Sequence, residues 1–172
     1  HVNSPDLPGY VDHPETPHGV YRFFDSGFWK LAKKRLNIES EAMSSFILRR
    51  SCIRGLYLVG NCGTLGQTDD SDLNYWVVID RRLVSETQQG LFREKLARVK
   101  DWAKTTFDHN LTFFVLDVEQ VRRNDFYRMD EEGGGTLQQD LLKEEFYRTF
   151  ILIAGQIPYW AVFPSGLNDS EY

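Results

Sequence analysis

Cysteine is scarce in this sequence. Only Cys52 and Cys62 occur among 172 residues, and neither stands at the spacing of a metal-ligand motif. A single pair is also too few for the disulfide framework of a small secreted domain. We therefore expect reduced thiols and a cytoplasmic protein.

Long apolar runs and an excess of positive charge are also missing. No segment reaches the roughly 18 apolar residues that a membrane helix needs, and no signal peptide opens the chain. The formal net charge is −5, which gives no general attraction to nucleic acid or to anionic membranes. We expect neither as a partner, although a local basic pocket is compatible with this average.

What the sequence does have is typical of one folded domain. Its 172 residues, with 41% hydrophobic residues, are enough to bury a substantial core. Residues 1–18 are rich in Pro and Gly, which predicts an extended arm on the surface of this single domain. Because the first residue is His1 rather than Met, we expect a piece of a longer protein.

Helical and strand patterns alternate along the chain. Apolar spacing, glycine boundaries and a capping-box pair at Thr136 and Gln139 predict three helices. They cover residues 40–54, 85–107 and 136–155. Short runs of apolar and β-branched residues predict four strands, over residues 56–59, 73–79, 111–117 and 159–163. This order predicts an α/β or α+β domain with a mixed β-sheet flanked by helices.

The most informative stretch is "LVGNCGTLGQTDDSDLNYWVVID", which runs from Leu58 to Asp80. A strand leads into a glycine-rich turn, whose backbone N–H groups can cradle phosphate oxygens. Asp72 and Asn74 then stand at i and i+2, so their side chains should leave the same face of the next strand. Asp117 ends a later strand and would complete the group if the two strands are neighbours.

Such side chains suit a particular chemistry. Carboxylates bind Mg²⁺ together with substrate phosphates. Two such ions, roughly 3.5–4 Å apart, can activate an attacking oxygen and stabilise a leaving one. The sequence therefore favours metal-assisted attack on a nucleoside triphosphate.

The spacing resembles the nucleotidyltransferase pattern, in which apolar-Gly-Ser is followed about ten residues later by Asp-apolar-Asp. Here Val59-Gly60-Asn61 is followed, after ten residues, by Asp72-Leu73-Asn74. The longer segment "GNCGTLGQTDDSDLNYWV" resembles the "GSTSSxGQSxSSDLDIWV" element of bacterial class I adenylate cyclases of the enterobacterial type. Four further segments match in compatible order: "LPGYVD" upstream, and "LTFFVLD", Arg122 with Asn124, and "LLKEEFYRTFILIAG" downstream.

This resemblance implies a nucleotidyltransferase-like catalytic domain at the N-terminus of a longer cyclase, with a regulatory region downstream. Its reaction is attack of the ribose 3′-oxygen of ATP on the α-phosphorus, giving cyclic AMP and pyrophosphate with Mg²⁺ or Mn²⁺. By the same resemblance, the catalytic and metal-binding residues are Asp72, Asn74 and Asp117. The implied nucleotide-binding residues are Gly60, Asn61, Gly63, Thr64 and Arg148.

Three positions depart from the family pattern. Asn61 replaces Ser and still offers a donor to phosphate, and Gln156 stands where the family's helix tends to end in Lys. Asn74 replaces the second Asp, so it keeps one oxygen ligand but loses a negative charge. Unit charges about 4 Å apart interact by roughly 4 kcal/mol at an effective dielectric near 20. We therefore expect weak metal binding and an activity that is lower by several orders of magnitude.

Other functions fit the same pattern. The domain is alternatively a catalytically silent nucleotide-binding or sensor domain of the same fold. A second alternative is an enzyme of the same fold that transfers a nucleotide to another acceptor. The lack of a basic tract weighs against RNA as that acceptor.

Individual residues also have plainer interpretations. Asp72 suits a polar loop before a strand, Asp117 suits a cap for a helix that begins at Val118, and Arg148 suits an ion pair with Glu144 or Glu145.

Overall fold

The computed structural model describes residues 3–23, 29–31, 34, 51–68, 71–123 and 136–156. Its centre is a four-stranded sheet in the order β3-β2-β1-β4. The strands are β1 (Ile53–Val59), β2 (Leu73–Ile79), β3 (Leu111–Asp117) and β4 (Ile151–Gly155). β1 runs antiparallel to β2 and β4, whereas β2 and β3 are parallel. The predicted mixed sheet with helices, an α+β fold, is confirmed.

Three helices accompany the described strands. They are α1 (Glu86–Phe107), the short α2 (Val118–Arg122) and α3 (Thr136–Thr149). α1 begins at a complete capping box, because the Ser85 hydroxyl accepts from the Gln88 N–H and the Gln88 side chain accepts from the Ser85 N–H. Two unpaired backbone donors are satisfied in this way, and the helix predicted over 85–107 is confirmed.

The two faces of the sheet bury different clusters, because successive side chains of a strand point to opposite sides. On one face, Phe146 of α3 stacks on Trp76 of β2 with ring centroids 4.9 Å apart, and residues of α2 pack beside them. On the other face, Phe92 of α1 packs against Val77 and Ile79. Because Asn74 stands two residues before Trp76, it belongs to the face that α3 covers.

Two predicted helices differ from the structure. Ile53 and Arg54 belong to β1, so the helix predicted over 40–54 is wrong at its end, and residues 40–50 lie outside the described part. The helix predicted over 136–155 ends at Thr149, since "ILIAG" pairs with β1 as β4. An apolar, β-branched run is stabilised more by pairing on a sheet than by one more helical turn. The strand predicted over 159–163 lies outside the described residues.

The described part of the N-terminal arm, residues 3–18, contains no helix. Lys95 of α1 donates to the side chain of Asn3 and to the carbonyl of Gly9, both at 3.0 Å. Arg98 donates to the carbonyl of Tyr10 at 2.7 Å. These donors hold the arm along α1.

Candidate functional site

A compact turn follows β1 and carries the glycine-rich motif. Gly60 has φ 102° and Gly63 has φ 77°, a region that residues other than glycine rarely adopt. The Gly63 N–H donates to Gln67 Oε1 at 2.6 Å, and the Thr64 N–H donates to the Asn61 carbonyl at 3.0 Å. We call residues 60–67 the glycine loop.

Several backbone donors of the glycine loop remain available to a ligand. Within the described residues, the N–H groups of Asn61, Cys62 and Leu65 meet no hydrogen-bond acceptor. The side chains of Asn61 and Thr64 are exposed. Unpaired N–H groups in a tight turn form a concave donor surface that suits phosphate oxygens.

The first residues of β2 lie beside this loop. Val59, the last residue of β1, pairs with Asn74. A Cβ placed on Gly60 would stand 3.5 Å from the Asn74 amide nitrogen. Asp72 directly precedes β2 and is exposed. The structure therefore brings the glycine loop, Asn74 and the start of β2 together, as the spacing predicted.

Helix α3 forms the other side of the glycine loop. The Gly60 N–H donates to Thr149 Oγ1 at 2.9 Å, and this hydroxyl donates in turn to the Glu145 carbonyl at 2.7 Å. Glu145 Oε1 lies 3.6 Å from the point where a Cβ on Gly60 would stand. Sequence reasoning considered Glu145 only as an ion-pair partner. The sequence signal was its i, i+4 relation to Thr149, which puts both on one helix face.

Asp117 does not join this group, and that prediction is wrong. β2 and β3 are parallel, with Leu73 opposite Leu111 and Ile79 opposite Asp117. At about 3.3 Å per residue, the far end of a seven-residue strand is roughly 20 Å away. Asp117 Oδ1 accepts instead from the Arg81 N–H at 3.2 Å. Asp117 occupies the N-cap position of α2 without a side-chain capping hydrogen bond.

The chain is similar to known proteins over more than nine-tenths of its length. A sequence model of the family described as "Adenylate cyclase NT domain" matches residues 1–161.

The chain belongs to the adenylate cyclase NT domain family.

Full-length relatives agree with this assignment. The chain is 30% identical to an adenylate cyclase of Haemophilus influenzae, over 93% of its own length and 20% of that protein. For the adenylate cyclase of Pasteurella multocida the identity is 32%, over 93% of the chain and 19% of that protein. For that of Escherichia coli K12 it is 28%, over 95% and 19%.

The chain therefore spans about a fifth of the length of these relatives. No solved structure matches it. The resemblance to enterobacterial class I cyclases is confirmed.

Arg148 of this NT domain forms an ion pair with Glu144 at 3.1 Å. Both side chains are largely exposed, at 78% and 66%. An exposed pair of this kind contributes little to stability. The plainer interpretation of Arg148 as an ion-pair partner is thus confirmed, and its role toward phosphate stays a prediction.

The side chains of Asp72 and Asn74 are too few to surround a cation by themselves, but they suit a cation that phosphate oxygens also bind. In the part of the chain that the structure describes, no three His, Cys, Asp or Glu side chains are grouped to hold a metal ion. Asp72 and Asn74 provide one carboxylate and one amide oxygen. Hard cations such as Mg²⁺ accept few protein ligands when phosphate oxygens complete the shell. The predicted trio with Asp117 does not fit.

The described helices include none that is long and apolar enough to cross a membrane.

Thr149 should stabilise the glycine loop through its hydroxyl. Thr149→Val removes the acceptor of the Gly60 N–H and is expected to lower the free energy of unfolding by about 1–2 kcal/mol. Thr149→Ser keeps the hydroxyl and serves as the matched control. Urea unfolding measures both, and equal values for the two variants would contradict the role of this hydrogen bond.

The opposite end of the sheet carries a separate ionic group. The buried carboxylate of Asp80 accepts from Arg82 Nε and Nη2, both at 2.9 Å. The hydrogen bond from Arg82 holds the pKa of Asp80 below its ordinary value. The carboxylate, when ionised, therefore stabilises the fold.

This group should make stability depend on pH. Its contribution is complete above the unfolded carboxyl pKa of about 4 and is lost as the pH falls through the lower folded value. Asp80→Asn is expected to lower the urea midpoint at neutral pH, with a difference that shrinks as the pH falls below about 4. Asp101→Asn, an exposed change on α1, is the control. A pH-independent difference for Asp80→Asn would contradict the assignment.

Proposed function

We propose that this NT domain binds ATP with Mg²⁺ or Mn²⁺ at the glycine loop. It then converts ATP slowly to 3′,5′-cyclic AMP and pyrophosphate. The observation that carries the proposal is the unpaired donor surface of the loop, directly beside Asn74 at the start of β2. The relatives named adenylate cyclase support the same reaction.

The residues of the chain have distinct tasks in this reaction. The N–H groups of the loop, with the side chains of Asn61 and Thr64, orient the triphosphate. Asp72 and Asn74 would hold the cation, which would neutralise phosphate charge. A bond forms from the ribose 3′-oxygen to the α-phosphorus while the bond to pyrophosphate breaks, and the hydroxyl proton passes to solvent.

The rate should be low because the site is short of negative charge. Asn74 has no charge, and Asp117 lies at the far end of the parallel pair. Of the three predicted metal-binding residues, only Asp72 therefore brings a carboxylate to the loop. Two-metal catalysis is usually supported by several shared carboxylates.

The same observation favours a second candidate function. With a single carboxylate from the predicted trio, the domain is alternatively a silent nucleotide-binding domain that serves as a sensor. We also propose that further parts of a longer protein regulate it, since the relatives are about five times longer. The free thiols of Cys52 and Cys62 agree with a cytoplasmic location.

One experiment separates these functions. The purified chain is incubated with ATP and Mn²⁺, bound ATP is measured by equilibrium dialysis, and products are separated by chromatography. Cyclic AMP and pyrophosphate in equal amounts support the cyclase. Bound ATP without products supports the silent domain, whereas a labelled third compound indicates transfer to another acceptor. No ATP binding would contradict the site itself.

A further inference from the structure

The side chain of Glu145 faces the glycine loop from α3. Its Oε1 atom and the amide nitrogen of Asn74 lie 3.6 and 3.5 Å from the same point, the position of a Cβ on Gly60. One group comes from α3 and the other from β2. The glycine loop therefore begins between a helix carboxylate and the strand position where the family has its second Asp.

The position of Glu145 is fixed by the backbone around it. Thr149, one turn later on α3, accepts from the Gly60 N–H and donates to the Glu145 carbonyl. Phe146, the next residue, is fully buried against Trp76 of the sheet. The helix can therefore neither rotate nor slide without breaking the core, which keeps Glu145 beside the loop.

Ion pairing distinguishes Glu145 from its neighbour Glu144. Glu144 pairs with Arg148 on the exposed side of the helix. Among the described residues, no Lys or Arg forms an ion pair with Glu145. Its exposed carboxylate thus has no cationic partner in the part of the chain that the structure describes.

An unneutralised carboxylate beside a phosphate-binding loop has two possible effects. Without a cation between them, it repels the triphosphate and weakens binding. With a divalent cation between them, it becomes an oxygen ligand and strengthens binding. If the site binds ATP together with a divalent cation, the carboxylate strengthens binding.

We propose that Glu145 supplies the second carboxylate of the site and holds the divalent cation from the α3 side, with Asp72 and Asn74 on the β2 side. This inference rests on the proposed binding of ATP with a divalent cation. It adds a carboxylate from the helix to the one that Asp72 provides, while the position of Asn74 stays uncharged.

Mn²⁺ binding tests this role without any measurement of activity. Electron paramagnetic resonance measures the concentration of free Mn²⁺ as the chain is added to a solution of Mn²⁺ and ATP. The loss of signal that ATP causes without the chain is subtracted. Glu145→Gln is expected to weaken Mn²⁺ binding by about tenfold or more. Glu144→Gln, the adjacent change of equal chemistry, should leave it within about twofold.

A conservative variant separates charge from structure. Glu145→Asp keeps the carboxylate and should bind Mn²⁺ better than Glu145→Gln, and urea unfolding checks that every variant is folded. If wild type binds Mn²⁺ with ATP and Glu145→Gln binds equally well, the role of Glu145 is wrong while the proposed function stands. Tighter ATP binding by Glu145→Gln in the presence of Mn²⁺ would show simple repulsion and overturn it too. If wild type binds no Mn²⁺ with ATP, both proposals fail.

Discussion

Replacing Asn74 with Asp is expected to raise the rate of cyclic AMP formation by about a hundredfold or more. Asn74 lies next to Gly60, with its amide nitrogen 3.5 Å from the position of a Cβ on that glycine. A carboxylate at this point would add a full negative charge to the cation site at the edge of the loop. The rate is measured from cyclic AMP produced with ATP and Mn²⁺.

A matched control distinguishes local from general charge effects. Gln89→Glu changes an amide to an acid in the same way, but it lies on α1, which packs on the opposite face of the sheet. This variant should leave the rate unchanged. Mn²⁺ binding is measured in parallel, because the carboxylate should tighten it even if distal regions are needed for turnover. Unchanged activity and unchanged Mn²⁺ binding in Asn74→Asp would remove Asn74 from the site.

The second large effect concerns Asp72. We expect ATP to bind the wild-type chain at least about tenfold more tightly with Mg²⁺ than with a chelator. Asp72→Ala should lose most of this difference, because it removes the carboxylate that directly precedes β2. Calorimetry with and without Mg²⁺ measures the ratio for each variant.

The control for Asp72 is Asp101→Ala, an exposed change on α1 that should keep the metal dependence. If wild type binds ATP equally well in chelator, basic groups alone hold the triphosphate and the assignment of a metal site is wrong. If Asp72→Ala keeps the full dependence, another group holds the cation. In that case Glu145 is the carboxylate already placed at the loop.

Local sequence patterns predicted the limits of two of the four described strands. β2 and β3 have the predicted limits, 73–79 and 111–117, because β-branched and aromatic runs favour extended backbone wherever they pair. β1 and β4 were less predictable. Ile53, Arg54 and the "ILIAG" run continue helical patterns in the sequence. Sheet pairing makes them extended, since β1 pairs with β2 from Ile53 onward and "ILIAG" pairs with β1.

The glycine-rich turn and its closeness to Asn74 are the part of the site that the sequence predicted. The loop needs positive φ at Gly60 and Gly63, and a short polar segment then returns the chain antiparallel beside β1. Each of these features depends on residues within one hairpin-like unit. The glycine spacing indicated the turn and the alternation of side chains indicated the face of Asn74, whereas the antiparallel pairing was shown only by the structure.

The remaining site was decided by the tertiary structure. A carboxylate at the end of a strand reaches Asp72 only if the strand runs antiparallel to β2, and β3 is parallel. The core, where Phe146 packs on Trp76, brings α3 against the sheet and so places Glu145 at the loop. Strand direction and helix packing depend on burial between segments far apart in the chain. The sequence alone therefore predicted the glycine loop, whereas only the folded chain showed that Glu145 lies beside it.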